Sequence, residues 1–204
     1  NSFADVDVGD TLTYTATKAD GTTLPTWLSF DAATRTFSGT PLNGDVGTVS
    51  VKVTATDSGS SSASNSFSLT VANTNDAPTL STVSTLAGAS EDTGYTISYA
   101  DLAGAANEAD VDAGAVISFR VQTVSSGTLT KGGVAVTAGV TLLGAGESLV
   151  WTPATNANGL GLSAFTVVAW DGVAASDVPV QVKVDVGAVN TAPTLANAIT
   201  DQNA

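Results

Sequence analysis

This 204-residue sequence predicts an all-β fold of tandem antiparallel β-sandwiches. Three observations predict it. Apolar and polar residues alternate with period two along most of the chain, as half-buried strands require. The alternating runs are rich in β-branched residues, which suit a pleated surface, and turn-forming Gly, Asn and Asp punctuate them. Short motifs also recur at a spacing of roughly 100 residues, the size of one sandwich domain.

The elements follow in order. Thr11 to Lys18 sets Leu12, Tyr14 and Ala16 inward against outward Thr. Val49, Val51, Val53 and Ala55 mark a second strand, and Phe67, Leu69 and Val71 a third. Ile117, Phe119 and Val121 form the next stripe, followed by Leu149 with Trp151, then Phe165, Val167 and Ala169, then Val178, Val180, Val182, Val184 and Val186. Turn signals lie between them at Asp20-Gly21, Asn43-Gly44, Asp57-Ser-Gly59, Lys131-Gly-Gly133, Asn158-Gly159 and Asp171-Gly172. The Ser58–Ser64 stretch has the composition of a flexible hairpin tip. Two stretches are helix-compatible instead: Pro25 to Phe30, too short for a helix, and the Ala-rich 100–110 segment, long enough for one or two turns. Trp27, Trp151 and Trp170 are expected in the core.

Composition narrows the function. Nineteen acidic residues face six basic ones, a net charge of −13. Such a chain repels nucleic acid, whose binding needs Lys and Arg against phosphate, and anionic membranes likewise. Cys, His and Met are absent, which removes disulfides, thiolate zinc sites and imidazole bases. No apolar run reaches the ~20 residues of a membrane span, and no signal segment opens the chain. Starting at Asn1 without Met, the chain reads as a piece of a longer polypeptide.

The repeats carry the chemistry. Asn73-Thr-Asn75-Asp76-Ala-Pro78-Thr-Leu80 returns as Asn190-Thr-Ala-Pro193-Thr-Leu195, 115 residues on. Asp5-Val-Asp7-Val-Gly9 returns as Asp110-Val-Asp112-Ala-Gly114, and Thr54-Ala-Thr56-Asp57 as Val168-Ala-Trp170-Asp171. Boundaries follow: one domain over 1–76, a second over 77–190, and the opening strand of a third over 191–204. The first copy of Asp-Val-Asp lies only five residues in, so the first domain is expected to lack its opening strand. The 191–204 strand of one chain is then expected to complete the first domain of a neighbour. Carboxylates at alternate positions of an extended segment share a side and can converge on one cation. Calcium takes six to eight such oxygens at about 2.3–2.6 Å. No Lys or Arg adjoins these acids in sequence, so a cation is the expected partner.

The Asn-x-Asn-Asp-Ala-Pro motif, with Asp-x-Asp and the strand-ending Ala-x-Asp, resembles cadherin-like repeats, with an Ig-like sandwich fold. Asp5-Val-Asp7-Val-Gly9-Asp10-x-Leu12-x-Tyr14, Pro25-x-Trp27-Leu28-x-Phe30-Asp31 and Phe37-Ser-Gly39-Thr40-Pro41 resemble, more narrowly, a dystroglycan-type cadherin-like domain. Residues 77–190 resemble a divergent cadherin-like or bacterial Ig-like repeat. The resemblance implies calcium at the joints between repeats. A middle joint would use Asn73, Asn75 and Asp76 with Asp110, Asp112 and Asp171, and hold fewer ions than a full junction. An upstream joint would use Asp5, Asp7 and Asp57. A downstream one would use Glu91 and Asn190, weakened because Thr191 stands where Asp76 does.

The function so implied is a calcium-stiffened extender or adhesive repeat of a large bacterial adhesin or filament, secreted or anchored at the cell surface. Its partners would be neighbouring repeats of the same polypeptide. A carbohydrate- or peptide-binding module is the alternative, with Tyr14, Trp27, Tyr95 or Tyr99 as the contact. Catalysis is not expected. Glu91 and Asp92 are adjacent and point to opposite faces, unlike the flanking carboxylate pair of a glycosidase.

Overall fold

The computed structural model describes residues 3–7 and 9–193, so the expected strand at 194–204 lies outside the described residues. The chain divides into two compact units, Asn1–Thr74 and Asn75–Ala204. The fold is all-β: mostly antiparallel sheets, with one short α-helix and one 3-10 turn (Asn43–Asp45) among the described residues.

The first unit holds β1 (Thr13–Lys18), β2 (Leu28–Asp31), β3 (Thr36–Gly39), β4 (Gly47–Thr56) and β5 (Ser62–Val71). β1, β4 and β5 form one antiparallel sheet in that order, and β2 with β3 forms a separate hairpin. Alternation decides the faces. Ala16 pairs with Val53, Val51 with Phe67, and Val49 with Leu69, so one face of the sheet is an apolar stripe. The segment from Pro25 to Phe30, helix-compatible in sequence, contains a strand instead. Cross-strand packing overrides local preference here: Phe30 pairs with Phe37 in register, their rings 4.7 Å apart, and Phe37 meets Phe67 edge-on at 5.6 Å. Asp31 takes the backbone N–H groups of Ala33 and Thr34, closing the hairpin turn. Among the described residues of this unit only Leu28, Val51 and Ala55 are buried, and Phe67 stays 44% exposed.

The second unit holds β6 (Leu86–Ser90), β7 (Tyr95–Ser98), α1 (Tyr99–Ala105), β8 (Ser118–Val124), β9 (Thr128–Lys131), β10 (Val134–Ala135), β11 (Leu142–Leu143), β12 (Ser148–Thr152), β13 (Gly159–Trp170) and β14 (Val180–Gly187). A five-stranded sheet runs β11-β8-β13-β14-β6 and a four-stranded one β10-β9-β12-β7. β6 joins β14 in parallel, opposite Val184 and Val186. Between the sheets lie Ile97, Leu102, Phe119, Leu149, Trp151, Phe165 and Val182, all fully buried. Trp151 satisfies its one polar atom by donating Nε1–H to the Ser126 carbonyl at 2.8 Å. Trp170 is only half-buried, with the Arg120 guanidinium over its ring at 4.2 Å. Val178, expected in the last strand, is 66% exposed and precedes it; Pro179, next to it, has no N–H to give a ladder.

The helix expected around 100–110 is α1, shorter and earlier. Ser98 caps it. The Ser98 hydroxyl accepts from Asp101 N–H at 3.1 Å, while Asp101 Oδ2 accepts from Ser98 N–H at 3.0 Å and from its hydroxyl at 2.6 Å. Ser98→Ala is expected to cost about 1 kcal/mol in denaturant unfolding, the usual effect of losing an N-cap. The Ser98 hydroxyl, then its N–H, hold the Asp101 carboxyl below its ordinary 3.8. That contribution is present above 3.8 and fades as pH falls through the lower folded value. The Ser98→Ala chain should therefore show a shallower acid limb than the parent.

Candidate metal centre

Two matched turns carry the acidic motifs. In the first, Asp5 Oδ1 accepts the Asp7 N–H at 2.9 Å, and Asp10 N–H reaches back to the Asp7 carbonyl at 3.3 Å. In the second, Asp110 Oδ1 accepts the Asp112 N–H at 2.8 Å, and Ala115 N–H reaches the Asp112 carbonyl at 3.2 Å. Gly9 and Gly114 sit inside these turns with φ of 99° and 84°, backbone values that side chains resist. An aspartate followed two residues later by its own backbone partner is a local Asx turn.

In the first unit this curl gathers a cluster. Asp5, Asp10 and Asp57 bring one carboxylate oxygen each to within 4.8 Å of one another. β4 delivers Asp57 at its end, where Asp57 Oδ1 also accepts the Ser61 N–H at 2.8 Å, and the Ser58 hydroxyl donates to Asp10. Asp7, expected in this group, is exposed and outside it; Asp10 takes its place. The reason is local. Alternate residues share a side only in an extended segment, and this one is a turn, which aligns positions five apart instead.

No cation is donated by the protein to this cluster: among the described residues the ion pair is Lys131 with Glu147, elsewhere. Like charges this close repel one another, and a bound cation would neutralise that repulsion. The spacing fits one: oxygens each about 2.3–2.6 Å from a calcium lie up to about 5 Å apart.

In the second unit the acids engage differently. Asp76 N–H donates to Asp112 Oδ2 at 2.8 Å, and the Asn75 side-chain amide donates to Asp171 Oδ2 at 2.9 Å. Asp171 Oδ1 takes the N–H groups of Val173 and Ala174, both at 2.6 Å. The Ala174 N–H first, then Val173 and Asn75, hold the Asp171 carboxyl below its ordinary range. So the linker residues Asn75 and Asp76 meet Asp112 and Asp171 directly. Three buried carboxylate oxygens from the same segment have no hydrogen-bond partner: Glu108 Oε2, Asp110 Oδ2 and Asp112 Oδ1. Buried polar atoms are nearly always paired, so an orphaned trio of acids has the donor chemistry of a hard cation. Burial pushes the Glu108 carboxyl up. Ala115 stands where the first turn has Asp10, so the second turn offers one carboxylate fewer. Glu108, a loop acid by its sequence setting, is the residue this reading missed, and burial was its only signal.

The remaining predicted residues lie apart. Glu91 is 7% exposed, with Oε1 accepting Val189 N–H and Oε2 accepting the Asn158 amide, both at 2.6 Å. Oε1 thus fastens the end of β6 to the segment after β14, and Oε2 fastens it to the turn before β13. Asn190 is exposed beside that contact, and Asn73 is exposed at the end of the first unit. Of the aromatic candidates, Tyr95 and Tyr99 give their hydroxyls to the Ala87 and Ile117 carbonyls at 2.8 Å. Tyr14 lies beneath Arg35, 5.6 Å from ring centre to guanidinium, and Trp27 lines an open groove.

Residues 1–72 match the family described as "Putative Ig domain". Among solved structures, human protocadherin-24 EC1-2 is similar over 87% of this chain and 82% of that one, with 16% identity and a TM-score of 0.52. The protocadherin gammaB7 EC3-6 cis-dimer structure is similar over 87% of this chain and 40% of that one, at 17% identity and a TM-score of 0.54. Protocadherin gamma B2 extracellular cadherin domains 1-5 are similar over 89% and 34%, at 15% and 0.52. At these identities the likeness is one of fold, cadherin-like and Ig-like. No curated protein matches the chain.

Proposed function

We propose that this chain is a calcium-binding extender or adhesive repeat of a large bacterial surface protein, working outside the cell. The observation that carries this is the Asp5–Asp10–Asp57 cluster, three carboxylate oxygens within 4.8 Å of one another with no ion pair to a basic group among the described residues. The matched turn at Asp110–Asp112, with its orphaned oxygens, supports the same reading for the second unit. Asp5, Asp10 and Asp57 would hold one ion. Glu108, Asp110, Asp112 and Asp171, beside Asn75 and Asp76, would supply the oxygens of another. A bound calcium would neutralise repelling carboxylates and tie together segments distant in sequence, here the lead-in to β1 and the end of β4. In a tandem array, fixing such segments restricts the bending that small polar interfaces otherwise allow.

Calcium is expected to raise the melting temperature, and excess chelator to reverse the rise. At a hundredfold excess over Kd the stabilisation is about 2.7 kcal/mol by mass action. Asp10→Asn should remove the first-unit share of that gain while leaving the calcium-free melting temperature nearly unchanged. Equal melting curves in millimolar calcium and in chelator would rule the reading out.

A ligand-binding module is the second reading, favoured by Trp27 and Tyr14 on the open grooves of the first unit. Glycan- or peptide-array binding lost in Trp27→Ala would support it.

A further inference from the structure

Tension along the chain enters the second unit near Asn75 and leaves it near Asn190. The first strand it meets there is β6 and the last is β14, and these two are direct neighbours and parallel. Parallel neighbours have their N-terminal ends side by side. Pulling β6 from its Leu86 end and β14 from its Gly187 end therefore drives the strands past each other lengthwise. The whole ladder, from Leu86 opposite Val184 to Ser90 opposite Gly187, takes the load at once. An antiparallel pair pulled from one end opens bond by bond instead. Side chains lock the same joint. Glu91, the residue after β6, gives its N–H to the Gly187 carbonyl at 3.0 Å and accepts Val189 N–H on Oε1 at 2.6 Å. Its Oε2 accepts the Asn158 amide at 2.6 Å, and Asp92 Oδ1 accepts the Asn156 N–H at 2.9 Å. At 7% exposure, Glu91 keeps these charge-assisted bonds largely away from competing water.

We propose that the second unit is a tension-bearing module whose mechanical clamp is the parallel β6–β14 pair, locked by the Glu91 carboxylate. For β14 to slide forward, Val189 must leave Glu91. The carboxylate cannot follow it, because Asn158 and the turn before β13 hold its other oxygen. The side chain thus resists the same displacement that the backbone ladder resists, at the end of β14 where the pull arrives. The use of such a clamp rests on the extender reading. The clamp itself is made of bonds from protein to protein, so it holds without calcium.

The test is single-molecule force spectroscopy on the full chain in excess chelator, with handles on introduced cysteines, since the chain has none of its own. T74C/T191C loads the β6–β14 pair lengthwise and leaves the first unit outside the load. A154C/T191C pulls from one end of the antiparallel β13–β14 pair, where Gly159 faces Val186, and peels it open. At one loading rate the first geometry is expected to resist to about twice the force of the second, because forced unfolding follows the barrier met along the pull. Glu91→Ala should lower the lengthwise force by about a third, and Glu91→Gln, which keeps the shape and loses the charge, by less. Ser98→Ala, which weakens the same unit away from the clamp, should leave that force unchanged. Equal forces in the two geometries overturn the proposal. So does a Glu91→Ala force equal to the parent's, or a fall in Ser98→Ala as large as in Glu91→Ala. Where Glu91→Ala does not fold, Glu91→Gln decides by the same comparison. Resistance that appears only when calcium is restored assigns it to the ion and overturns the clamp, whereas the melting curves with and without calcium test the extender reading separately.

Discussion

Trp151→Ala is expected to destabilise the second unit by about 3–5 kcal/mol, the range for removing a fully buried large aromatic. Trp151 is the largest of the fully buried side chains, and its strand β12 lies between β9 and β7 in the four-stranded sheet. Two terms add. The vacated volume opens within the buried cluster that also holds Phe119, Phe165, Ile97 and Leu149, a core of β-sheet, which collapses poorly around a hole. The Ser126 carbonyl also loses the indole N–H it accepts at 2.8 Å, leaving an acceptor near the core to find water. Domains of this size are stable by about 5–15 kcal/mol, so the loss removes about a fifth of that or more. Denaturant unfolding followed by circular dichroism checks it. A change below about 1 kcal/mol would mean that Trp151 is not the keystone of this core. Trp170→Ala is the comparison: half-buried and stacked on Arg120, it should cost markedly less.

Gly39→Ala should cost the first unit about 3 kcal/mol, at the upper end for overpacking. Gly39 pairs with Leu28 across the β2–β3 hairpin, and a Cβ on it would run into the Trp27 carbonyl oxygen. The obstacle is backbone, so no rotamer change relieves it. The hairpin must splay, and with it Phe30 and Phe37 leave the face they share with Phe67. Because only three of this unit's described residues are buried, and of these only Val51 completely, it has little else to hold it. Trp27 is its sole tryptophan; fluorescence at that residue in a Phe-matched W151F/W170F background reports the first unit directly. Gly44→Ala, where a Cβ meets nothing, should leave the same transition in place.

How far the sequence reached is visible in particular residues. Stripes such as Val49–Ala55, Phe165–Ala169 and Val180–Val186 announced their strands, because one buried face imposes alternation on every second residue. β6 was not legible: Leu-Ala-Gly-Ala-Ser has no alternation, and its pairing with β14 is a long-range event. β2 was hidden because Pro-Thr-Trp-Leu reads equally well as a turn of helix, and only the Phe30–Phe37 pair across the hairpin decides for strand. For the candidate site, the repeated Asp-x-Asp motif pointed to the loop that holds the acidic cluster, and the structure brings Asp10 rather than Asp7 to Asp5 and Asp57. Asp10 replaced Asp7 because hydrogen bonds within the loop, not its sequence spacing, set which carboxylates turn together.

By itself the sequence determined the β-sandwich class, the two-unit repeat and the acidic loops, because periodicity, turn residues and motif spacing are local and survive in one dimension. Only the tertiary structure decided which acids meet and that Glu91 is consumed by Val189 and Asn158. Those outcomes depend on the packing of segments tens of residues apart, and no local pattern encodes the distance between them.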